Sequence, residues 1–232
     1  DALQLASRTP LQVSGQLSDI VGTEQSAKFL KFTLRTAAEG VLAGHSQLLI
    51  RDQVRAELRH YLDTAHQGLL EIAAEHAALI VELSCAARDC MLFPCSEADS
   101  EELSRVAQRA KKWEHLADEF VTKARTARGE GVEAKAAVEL LRIADDAADE
   151  LEEGIFLLSL LEQPSTDVTW LGSDASREAQ QDLANLLVNT AQEYVKVVEN
   201  ARQIHRGSAG EEVADFLEAV DRTMSLERSA DD

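Results

Sequence analysis

Proline is scarce, at 3 in 232 residues, and aromatic side chains make up only 4%. So little proline leaves long helices uninterrupted. So few aromatics, with few β-branched runs, exclude an ordinary sandwich or barrel. Positive charge is also short: 23 Lys and Arg face 42 Asp and Glu, a formal net charge of −19. That excludes nucleic acid as a partner, because backbone phosphates need a basic surface. The cysteines are Cys85, Cys90 and Cys95. An odd count at even spacing fits no standard zinc pattern. These thiols are expected to be buried or incidental in a reducing compartment. No stretch approaches the ~20 apolar residues needed to span a bilayer. No signal peptide is legible, although Asp1 in place of Met points to a trimmed start, so the expected location is the cytoplasm.

What is present is Ala, Leu, Glu, Arg and Gln in quantity, the composition of an all-α protein. Periodicity predicts helices over Ser26 to Ala43, Ser46 to His66 and Gln67 to Arg88. Further helices are expected over Ser100 to Arg128, Val132 to Glu162 and Asp174 to His205, and one from Glu211 onward. Pro94 breaks the third from the fourth. Gly129 to Gly131 forms a tight connection, and residues 165–173 read as a linker. The helix from Ser100 carries an apolar seam through Leu103, Ala107, Ala110, Glu114, Ala117, Val121 and Ala124. The next runs through Ala137, Leu141, Ala144, Ala148, Leu151, Ile155 and Leu158. The last reads Val213, Leu217, Val220, Met224, Glu227, Asp231.

Three stretches place two carboxylates one helical turn apart: Glu114 with Asp118, Asp145 with Asp149, and Glu227 with Asp231. Residues at i and i+4 share a helix face, so each pair concentrates negative charge. Such pairs are ordinarily solvated decoration in so acidic a chain. Glu114 and Glu227, however, fall on seams, where an uncompensated charge is expensive. Counted from the Gly129 to Gly131 turn, Asp118 and Asp145 differ in height by only ~4–5 Å at ~1.5 Å per residue. The first two pairs can therefore face each other across antiparallel helices. Converging carboxylates are the donor set for hard cations, or for iron and manganese inside helical bundles.

Glu227 follows Glu114, and Asp231 follows Asp118, at the same offset of 113 residues. That offset also pairs Gln67 with Gln180, Leu70 with Leu183 and Ala78 with Ala191. The inference is two copies of a three-helix unit. Residues 1–66 are then an N-terminal helical extension, 67–164 the first repeat and 165–232 a second, incomplete one. A counterpart of Asp145 in the second copy would fall beyond residue 232.

Two rival chemistries are legible. Glu57 and His60 form an E-x-x-H, with Asp63 and His66 a D-x-x-H on the same predicted helix. A ferritin-like di-iron site needs an E-x-x-H from each of two helices and a Glu from each of two more, and the second E-x-x-H is missing. His76, His115 and His205 are expected at the surface or half-buried. The other rival is a metal-free helical scaffold that binds protein partners. The chain has no P-loop, nucleophile elbow or dinucleotide-binding glycine pattern, so the expectation is a non-enzyme.

The segments Trp113-Glu114-His115-Leu116-Ala117-Asp118 and Ala144-Asp145-Asp146-Ala147-Ala148-Asp149 resemble the PhoU-like family, in its phosphate transport regulator branch. The resemblance covers about residues 67–231. It implies an antiparallel helical bundle of two three-helix repeats, with E/D-x-x-x-D motifs binding metal clusters that contain iron or another metal. Glu114, Asp118, Asp145 and Asp149 would be ligands of one cluster, and Glu227 and Asp231 of a second. It also implies a link to inorganic phosphate transport or phosphate signalling, through a transporter or signalling protein as partner and with homo-oligomers as one form. The chain departs from the family pattern twice: the fourth motif is absent, and residues 1–66 exceed what the pattern needs.

Overall fold

A computed structural model of the chain describes residues 17–92, 100–126, 132–161, 174–204 and 210–231. Among these it is all-α and has no strand. The helices are α1 (Leu17–Val21), α2 (Thr23–Leu42), α3 (Gln47–Leu92), α4 (Ser100–Thr126), α5 (Val132–Leu161), α6 (Asp174–Gln203) and α7 (Gly210–Asp231). The expected break at Pro94, the Gly129 to Gly131 turn, the linker at 165–173, Cys95, His205 and residues 1–16 lie outside the described residues. No described helix is long and apolar enough to cross a membrane.

Contacts divide the chain into two compact units. One comprises Asp1–Glu71 with Thr122–Leu140, the other Ile72–Val121 with Leu141–Asp232. In the first, Phe29 of α2 and Leu58 of α3 are buried, with Leu17, Val54, Tyr61 and Leu62 packed on them. Phe29 and Tyr61 meet edge to face at 5.9 Å between ring centroids. Gly40 is needed where α2 approaches α3, because a Cβ there would lie 2.6 Å from Ile50 Cγ1.

The second unit holds the larger core. Ile80, Leu83, Ala86, Ala87 and Cys90 of α3 pack with Leu103, Val106, Ala110 and Ala117 of α4. Ala144, Ala148 and Ile155 of α5 and Ala191 of α6 complete the cluster. The seams predicted for α4 and α5 are the faces these helices bury, apart from half-buried Ala107, Glu114, Leu151 and Leu158. The ends of α4 suit the helix dipole, with Glu101 and Glu102 in its first turn and Lys123 and Arg125 in its last.

Two expectations are corrected. The helices predicted on either side of Gln67 are one 46-residue helix, α3. Gly68 inside it costs only about 1 kcal/mol relative to Ala. Burial of Leu69, Leu70, Ile72 and Ala73 immediately afterwards outweighs that cost. A Cβ at Gly68 would meet nothing within 4 Å. Gly68→Ala is therefore expected to stabilise the protein by about 0.5–1 kcal/mol, read as a higher urea midpoint with an unchanged slope.

The second correction concerns α7. Val213, Leu217, Met224 and Glu227 of its predicted seam are exposed. The covered stripe is instead Phe216, Ala219, Val220, Thr223 and Leu226, with Ala219 buried and the others half-buried. Both stripes are apolar at helical spacing, and the position of α6 decides which one is covered. Asn200 of α6 donates from Nδ2 to the Asp215 carbonyl of α7 at 3.1 Å.

Candidate metal centre

All four residues of the first predicted site lie in the second unit. Glu114 and Asp118 stand one turn apart on α4, and Asp145 and Asp149 one turn apart on α5. Each pair follows a buried small residue, Ala110 and Ala117 on α4 and Ala144 and Ala148 on α5. Those alanines allow the two backbones to approach closely.

The register between α4 and α5 is marked by the ion pair of Lys111 Nζ with Glu152 Oε1 at 4.0 Å. Antiparallel helices advance in opposite directions from that point. Three residues along α4 and three back along α5 bring Glu114 level with Asp149. Four more bring Asp118 level with Asp145. The electrostatics agree. Burial pushes the Asp149 carboxyl up to about 6, helped by the charges of Asp145, Glu114 and Asp118, and then Asp146.

Among the described residues, these carboxylates lack the Lys or Arg partners that other acids have. Elsewhere Arg105 pairs with Glu101 and Glu102, Lys196 with Glu193, and Arg222 with Glu218. On α5 itself, Arg142 reaches Asp146 at 2.9 Å, between the two site aspartates in sequence. Among the described residues, no Lys or Arg pairs with Glu114, Asp118, Asp145 or Asp149.

Two histidines complete the picture: the expected surface position holds for His115 and fails for His76. His115 joins Glu114 and Asp118 in a group whose donor atoms lie within 4.8 Å of one another. Its Nδ1 is 3.8 Å from Glu114 Oε2, and its side chain is exposed. His76 of α3, expected at the surface or half-buried, is completely buried. Its Nε2 lies 3.3 Å from Asp145 Oδ1. Burial holds the His76 imidazole below its usual range, against the opposing hydrogen bond and charge of Asp145. Sequence spacing gave no signal for it, because His76 is 69 residues from Asp145.

The other predicted positions are not brought to this place. Glu227 is exposed on α7, and Asp231 ends that helix, its side chain outside the described residues. Glu57 is half-buried and His60 exposed on α3, in the first unit. A buried di-iron centre built on that E-x-x-H does not fit this exposure. Among the described residues the compact donor group is Glu114, His115 and Asp118, and neither Asp145 nor Asp149 joins it within the same 4.8 Å. Cys85 and Cys90 lie on α3, Cys85 half-buried and Cys90 buried, and neither is in a disulfide.

The donor set is carboxylate oxygen with one imidazole. Such a set takes hard or borderline cations such as iron, manganese or zinc. Comparison of the chain with family models, with curated proteins and with solved structures finds no match.

Proposed function

We propose that the chain is a non-enzymatic, metal-binding regulatory or accessory protein of inorganic phosphate transport or phosphate signalling, built on the PhoU-like plan and acting in the cytoplasm. The observation that carries the metal site is the pairing of carboxylates at matching heights on α4 and α5 with no Lys or Arg among the described residues to neutralise them. A bound cation supplies the missing positive charge. Glu114, Asp118, Asp145 and Asp149 would hold it, with His115 in reach. Iron is the metal to test first, since carboxylates gathered on bundle helices suit it.

The two-repeat plan has support in burial. At the offset of 113 residues, Leu103, Val106, Ala107, Ala110 and Trp113 of α4 pair with Phe216, Ala219, Val220, Thr223 and Leu226 of α7. Every one of these residues is buried or half-buried. Glu227 then holds the place of Glu114, and with Asp231 would begin a second site. The link to phosphate rests on the resemblance of the motif segments alone.

Protein purified without chelator or metal column is expected to carry at least one equivalent of metal by elemental analysis. Its melting temperature is expected to fall after chelation. Metal-free protein, unmoved by chelator, would sink the metal site. Cells lacking the protein are expected to show altered uptake of labelled phosphate, and unchanged uptake would remove the transport link. A second function, docking of protein partners, is favoured by the exposed stripe of Val213, Leu217 and Met224 on α7. It predicts that charged substitutions there abolish partner binding without touching metal content.

A further inference from the structure

His76 has a chemistry that the proposed metal site does not yet use. It is completely buried on α3 and bonded to Asp145 on α5. A carboxylate only accepts hydrogen bonds, so His76 Nε2 carries the hydrogen and donates it to Asp145 Oδ1 at 3.3 Å. The neutral ring then leaves Nδ1 as a bare acceptor, and that atom is buried without a partner. A leucine at this place would fill the core with no polar cost, so simple packing does not account for the histidine.

Asp145 is held from one side only. Its side chain is 14% exposed. Among the described residues, Oδ1 receives the His76 hydrogen bond and Oδ2 receives none. We infer that His76 is a positioning residue that clamps Asp145 through Oδ1 and presents Oδ2 to a cation shared with Glu114, Asp118 and Asp149. The inference rests on the metal site proposed above. The clamp fixes the rotamer of one ligand before metal arrives, and restrained ligands lose less entropy on binding.

The test is a titration of metal-free protein with Mn(II), followed by electron paramagnetic resonance. Wild type is compared with His76→Gln and His76→Asn. The Gln amide nitrogen can occupy the place of Nε2 and donate to Asp145. The Asn amide nitrogen stops short, near the place of Nδ1. His76→Gln is expected to stay within roughly threefold of wild type, while His76→Asn loses roughly 10–100-fold in Mn(II) affinity. Both variants bury an amide, so general disturbance of the core affects both. Equal affinity in wild type and His76→Asn overturns the role of His76 while leaving the site intact. Equal loss in the two variants overturns the hydrogen-bond clamp. No Mn(II) binding by wild type overturns the site itself.

Discussion

Replacing Asp145 and Asp149 together by Asn is expected to abolish cation binding while making the metal-free protein slightly more stable. Asn keeps the size and shape of Asp and removes both charges. The site then keeps only Glu114 and Asp118 as anionic ligands. The loss should exceed the roughly 10–100-fold that removal of a mere outer-shell partner produces. Stability moves the other way. Like charges one helical turn apart destabilise by about 0.2–0.5 kcal/mol, and Asp149 also meets Glu114 and Asp118 across the helix pair. A gain of that order in urea denaturation, with metal binding lost by calorimetry, identifies residues kept for a ligand. Loss of both binding and stability would mean that the aspartates serve the fold.

The pH dependence follows from the sign of one shift. Burial and neighbouring charge push Asp149 up to about 6, above its value in the unfolded chain. Between the unfolded value and about 6, the folded state binds the proton and the unfolded state does not. Its contribution to stability is therefore full at low pH and is lost as pH rises through about 6. His76, held neutral by burial, acts in the opposite direction over the neighbouring range. The difference between Asp149→Asn and wild type isolates the aspartate: it should be largest above about pH 6 and vanish below the ordinary carboxylate range. Metal must displace the same proton, so affinity should fall by up to about tenfold per pH unit below about 6. An affinity flat between pH 7 and 5 would remove Asp149 from the ligand set.

The helices were legible because their signals are local. Alanine-rich seams at alternating spacings of four and three, with proline nearly absent, leave little choice for α4 and α5. Their carboxylate pairs were legible for the same reason, since i and i+4 share a face whatever the tertiary structure. Two features were not legible. The covered stripe of α7 depends on which side α6 approaches, and the helix offers two apolar stripes of similar quality. His76 looked like any other histidine because its meaning comes from Asp145, which is distant in sequence. The division before Gln67 failed because the helix cost of Gly68 is a weak term beside the burial of Leu69 and Leu70 that follows it.

Leu83→Ala is expected to produce a large loss of stability for a single truncation in the second unit, about 3–5 kcal/mol. Leu83 is completely buried on α3. The cost of such a truncation has two parts, the lost transfer of the removed carbons and the cavity that remains. The second part depends on whether neighbours can collapse inward. Here they cannot do so easily. Many of the buried neighbours are short: Ala86, Ala87, Ala110, Ala117, Ala144, Ala148 and Ala191 have no side chain to swing into a void. The long ones, Ile80, Leu103 and Ile155, are themselves buried in the same cluster. The cavity therefore persists, and the cost sits toward the upper part of the range. At this chain length it corresponds to a fall in melting temperature of roughly 6–20 °C. Leu83 lies two turns along α3 from His76, so Mn(II) affinity of the folded variant is expected to match wild type. A cost below about 1.5 kcal/mol would mean that the alanine-rich core is looser than its burial indicates. An Mn(II) affinity that fell with stability would mean that the packing of α3, and not the single bond from His76, holds Asp145 in place.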